Sequence, residues 1–117
     1  MKPDIDVEWR KALGEYEKAK RHVTAGEHDA AKVAAVKCVR LAALAVMEFS
    51  RESSGKTLHL VTAPAYEAVH FNWEKHCSRS CDYLREARRL LTTLRNSLPP
   101  ENDLPLPTED TPKSPNR

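Results

Sequence analysis

Between Asp29 and Arg51 the chain reads DAAKVAAVKCVRLAALAVMEFSR, and no other stretch constrains its folding so strongly. Wound as a helix, its apolar side chains cover most of the circumference. They leave only a narrow polar stripe through Lys37, Arg40, Glu48 and Arg51. A helix apolar on nearly every side has to be surrounded, so this segment predicts the central helix of a bundle. Its many alanines would let neighbouring helices approach closely. Ser53, Ser54 and Gly55 then supply the stop.

The flanking segments provide the neighbours. Trp9, Ala12 or Leu13, Tyr16, Ala19 and Val23 recur at three- and four-residue steps, which predicts a helix from about Asp6 to Ala25. Gly26 tolerates the left-handed conformation that closes a helix, and the short GEH connection turns the next helix antiparallel. Thr57 to Thr62 is β-branched and apolar, either an extended connector or a short turn. Pro64 fits a first helical turn, and helical signal runs on to Leu98, where Pro99-Pro100 ends it. One straight helix of that length would span ~50 Å, longer than the central helix at ~35 Å. A break is therefore expected near HCSRSCD, with Ser78 or Ser80 as N-cap.

The expected fold is all-α: an antiparallel three- or four-helix up-down bundle over residues 6–98. Its core is expected to include Trp9, Tyr16, Leu41, Leu44, Phe49, Trp73, Leu84 and Leu91. At 117 residues the chain makes one domain and needs no disulfide staples. Residues 99–117 hold most of the prolines and no aromatic, so an acidic, disordered tail is expected. The longest apolar run, Leu41 to Met47, falls far short of the ~20 residues of a membrane span. The acidic, amphipathic start lacks the apolar region of a secretory signal, and three cysteines without framework spacing fit a reducing compartment. A cytoplasmic protein is expected.

Four motifs bear on chemistry. Gly55-Lys56-Thr57 resembles the end of a phosphate-binding loop, but Ser50 stands where the first glycine belongs, and a helix rather than a strand precedes it. His70, Cys77 and Cys81 could share one helical face, with His76 beside them, as zinc ligands do. The CxxC spacing of zinc modules is missing, and Trp73, Cys77, Leu84, Leu91, Leu94 and Leu98 form a heptad-like apolar stripe there, so the cysteines read as small hydrophobes. His76 and Cys77, as helix neighbours, point some hundred degrees apart and cannot form a thiol–base pair; His59 could reach a cysteine only through tertiary folding. Neither a cofactor nor a metal is expected, nor an enzyme.

The fourth feature is basic. Between Lys75 and Arg95 the net charge is +4, and after Leu98 it is −2. Arg79, Arg85, Arg88, Arg89 and Arg95 make the candidate partner-binding row, with Arg85, Arg88 and Arg89 expected to lie exposed opposite the apolar stripe. The plainest reading is a solvated face partly paired with Asp82 and Glu86. An acidic protein surface would also suit it, as would nucleic acid, although no aromatic interleaves the arginines for base stacking.

The last helical segment, CSRSCDYLREARRLLTTLRNSL, resembles the third helix of MIT (microtubule-interacting and transport) domains through Tyr83, Leu84, Ala87 and Leu90. The segment EKAKRHVTAGEHDAAKVAAVKCVRLA is similar to the hairpin that precedes it there. This resemblance implies a three-helix bundle that docks short helical or extended peptides beside helix three. Arg85 and Arg88 replace that family's acidic positions, and residues 53–76 make a longer connection. The alanine-rich helix ending near a glycine also resembles HEPN bundles. Arg51 and His59 lie too far apart for that superfamily's ribonuclease motif. This second resemblance implies a protein that binds nucleotide or RNA without cleaving it, or a dimerising component of the toxin–antitoxin type. The expected function is a non-enzymatic adaptor that takes a partner helix or peptide between helices, with homo-oligomerisation left open.

Overall fold

The computed structural model describes residues 5–51, 63–98 and 104–107, and within these it is all-α with no strand. Helix α1 spans Ile5–Thr24 and α2 spans His28–Arg51. A third helix, α3, covers described residues 63–69, and α4 is the single turn Trp73–His76. Helix α5 runs from Ser80 to Asn96. The segment after Pro64 is thus three helices, where the sequence suggested one or two.

Acids Asp6 and Glu8 begin α1, and Arg21 lies in its last turn, each sign matching the helix dipole. Gly26 takes φ 80°. Its N–H donates to the Val23 carbonyl at 3.1 Å, while Glu27 N–H donates to that of His22 at 2.8 Å. These two bonds make a Schellman closure, which needs a residue without Cβ strain at Gly26. The turn folds α2 back along the length of α1.

Helix α2 is the wall that α1 and α5 share. Ala35, Ala42 and Ala43 are fully buried along it, together with Cys38, Val39 and Val46. Such small side chains hold helix axes close together. Between its ends the chain alternates direction: the His28 ring sits 2.7 Å from the Ser80 hydroxyl, so α5 starts where α2 starts and runs parallel to it. Helices α3 and α4 precede α5, and Ala65 and Ala68 are buried in the core.

The break before α5 is built differently from the expectation. Arg79, not Ser78 or Ser80, is the N-cap. Capping comes from Asp82 at the third helical position, whose carboxylate accepts the backbone N–H groups of Arg79 (3.0 Å) and Ser78 (3.2 Å). Ser80 is instead buried against His28. Asn72 caps α4 by accepting the Lys75 N–H at 3.2 Å.

Core membership follows the expectation for Trp9, Tyr16, Leu84 and Leu91. Leu41, Phe49 and Trp73 are only partly buried, and Leu44 is 51% exposed. On so apolar a helix, periodicity cannot say which sector lacks a neighbour.

Most of the tail lies outside the described residues, but residues 104–107 are packed. Leu104 is 2% exposed and belongs to the core. The Trp9 indole N–H donates to the Pro105 carbonyl at 2.8 Å, and Arg95 Nε donates to the Leu104 carbonyl at 2.8 Å. Composition alone argued against any burial here; Leu104 and Pro107 are buried, and Trp9 and Arg95 take up carbonyls that would otherwise lose water.

Candidate interaction site

Two clefts lined by described residues bear on function. The first sits between the start of α1 and the end of α2, with a volume of about 300 Å³. Leu41, Leu44, Ala45, Glu48 and Phe49 line it from α2, at the spacing of one helix face, and Ile5 and Glu8 line it from α1. Its floor is apolar and its rim carries the two carboxylates. These rim acids pair locally, Glu8 with Lys11 at 3.4 Å and Glu48 with Arg51 at 3.5 Å, both in exposed pairs worth ~0–1 kcal/mol. Nothing in the periodicity of α2 singles out this face; only the half-exposure of Leu44 does.

The second cleft, about 640 Å³ and open, is lined by Tyr66, His70, Phe71, Lys75, His76 and Arg89, with Glu67 and Glu86. Its rings are held by one another. Tyr66 and His70 have centroids 4.2 Å apart, and the His76 ring stacks on Phe71 at 5.0 Å. Arg89 lies over Phe71 at 5.7 Å and binds Glu86 at 2.7 Å. Trp73 stacks on Tyr83 at 5.4 Å and nearly parallel.

The arginine row is not one free stripe. Arg79 and Arg85 both reach Asp82, at 3.7 and 3.1 Å, and Arg89 reaches Glu86. Arg88 is half-buried rather than exposed, and Arg95 holds the Leu104 carbonyl. Arg85 and Arg89 remain the most accessible members of the expected exposed trio, each already beside an acid.

The cysteine–histidine group does not share a face. Cys77 ends α4, Cys81 lies in the first turn of α5, and His70 follows α3. Among the described residues no three His, Cys, Asp or Glu side chains come together as a ligand set. Burial pushes the Cys77 thiol up, with Glu86 and Asp82 adding to the effect. Cys38 is pushed far up by burial. Raised thiols are poor nucleophiles at neutral pH. Gly55-Lys56-Thr57 and His59 lie outside the described residues. No described helix is long and apolar enough to cross a membrane.

Asp82 carries a testable electrostatic signature. The backbone N–H of Arg79, then that of Ser78, with Arg85 assisting, hold its carboxyl at about 2 against an ordinary 3.8. A depressed folded value means the stabilisation is present above pH 3.8 and is lost as pH falls through about 2. Stability measured by urea titration across that window should fall in the native chain, and the corresponding component should vanish in Asp82→Asn. An unchanged slope in the variant would remove Asp82 from the cap.

Compared with protein-family models, curated proteins and solved structures, the chain matches none.

Proposed function

We propose that this chain is a non-enzymatic interaction module that takes one face of an amphipathic partner helix in the groove between the start of α1 and the end of α2. The observation that carries the reading is Leu44, half-exposed above a floor of Ile5, Leu41 and Phe49. Helix-in-groove recognition uses apolar anchors at i, i+3 or i+4 and i+7, and a cleft of this size suits such anchors. Glu8 and Glu48 on the rim favour a partner with lysine or arginine beside its anchors. The acidic partner expected for the arginine row has less to recommend it, because Asp82 and Glu86 already engage that row.

The probe is a synthetic leucine–lysine amphipathic helix, titrated into the isotope-labelled chain beside a leucine–glutamate counterpart. Shifts should centre on Ile5, Leu41, Leu44 and Phe49 and favour the cationic peptide. Leu44→Gln should weaken binding about tenfold, since burying a leucine contributes ~1.5–3 kcal/mol and 1.4 kcal/mol is a factor of ten. Equal affinity in the variant would refute the groove, and a saturable turnover lost on one side-chain change would refute the non-enzymatic reading.

A nucleotide- or RNA-binding bundle is the second reading, drawn from the other cleft, where Tyr66 and Phe71 offer stacking faces beside Lys75 and Arg89. Glu67 and Glu86 in the same cleft oppose a phosphate, which ranks it second.

A further inference from the structure

The contact between residues 104–107 and the bundle has the chemistry of peptide recognition. The indole N–H of Trp9 and the guanidinium of Arg95 can only donate hydrogen bonds. The backbone they meet, Leu104-Pro105-Leu106-Pro107, is half proline and so is rich in acceptors and poor in donors. Both donors reach consecutive carbonyls at 2.8 Å. A helical ligand would not satisfy them, because its carbonyls are bonded internally. Burial along the four residues runs buried, half-buried, exposed, buried, with Leu104 at 2% and Leu106 at 48% exposed. Positions 104 and 107 therefore share a face, the three-residue repeat of an extended polyproline-type segment.

We propose that Trp9 and Arg95 form a second recognition site, separate from the α1/α2 groove, for an extended Leu-Pro-x-Pro segment of a partner protein. The chain's own residues 104–107 fill it in cis. The donors read the backbone, and the pocket closed over Leu104 reads the leading leucine. Ring-fixed φ angles lower the ordering cost of such a ligand. Because a tethered segment acts at an effective concentration on the order of millimolar, a partner gains the site only when the cis segment is displaced or out-competed.

The test uses the full chain and a labelled peptide of residues 99–110. Leu104→Asp in the protein should release the cis segment, shifting the Trp9 indole N–H resonance, which is assigned by its loss in Trp9→Phe. The labelled peptide should then bind this variant at least tenfold more tightly than it binds the native chain, and the same peptide carrying Leu104→Asp should not bind. Failure of the native peptide to bind a variant of unchanged helical circular dichroism overturns the proposal. So does equal binding of both peptides. Should Leu104→Asp lose helicity, Leu104→Ala takes its place with the same criteria.

Discussion

Trp9→Ala is expected to destabilise the chain by about 3–5 kcal/mol, the range for truncating a large buried aromatic. Trp9 is fully buried, near the start of α1, among residues drawn from across the core cluster. Its removal leaves a cavity and also strands the Pro105 carbonyl, whose indole donor disappears. Domains of this kind are stable by ~5–15 kcal/mol, so the variant should retain only part of that margin. Trp9→Phe separates the two contributions: it keeps an aromatic ring and removes the donor, a loss of ~0.5–1.5 kcal/mol for the hydrogen bond, besides any packing change. Urea unfolding followed by circular dichroism measures both. A Trp9→Ala cost below ~1 kcal/mol would show that the start of α1 does not pack as described.

The second large effect is a contrast between two leucines. Leu91 is fully buried on α5, whereas Leu44 on α2 is half-exposed. Leu91→Ala should cost about 2–5 kcal/mol, and Leu44→Ala should stay within ~0.5 kcal/mol, as surface changes do. The same chemical deletion should thus differ severalfold in midpoint shift at an unchanged urea slope. Comparable costs would mean that Leu44 has a neighbour in solution, and the α1/α2 groove would then be closed.

Elements with a strong helical period were legible in the residues. The limits of α1 and α2 lie within a residue of the expected ones, and Gly26 closes the turn as its lack of a side chain implies. What period cannot supply is the missing neighbour. On a helix as apolar as α2, every sector looks like core, so Leu44 reads as buried, and a groove beside this helix can be expected but not placed on one face. Serine is the usual cap, but a carboxylate three residues inside a helix can do the capping alone, and Asp82 does. Pairing of the arginine row with Asp82 and Glu86 was legible from their spacing of one turn; what the spacing could not show is that Arg88 is half-buried and that Arg95 turns to the Leu104 carbonyl. Leu104 was hidden for another reason: four residues in a proline-rich tail carry no period, and only the distant Trp9 and Arg95 reveal what they fit.

The bond from Trp9 to Pro105 joins positions 96 residues apart, so it brings the two ends of the folded chain together. Closing a loop of that size is entropically costly for an unstructured chain, though the cost grows only slowly with length. The bundle removes most of that cost by bringing α1 and the end of α5 side by side first. Releasing the clasp breaks the Trp9–Pro105 and Arg95–Leu104 bonds but none of the helical hydrogen bonds of α1, α2 or α5. A fusion or circular permutation joining the two ends would act on this clasp before it touched the helices.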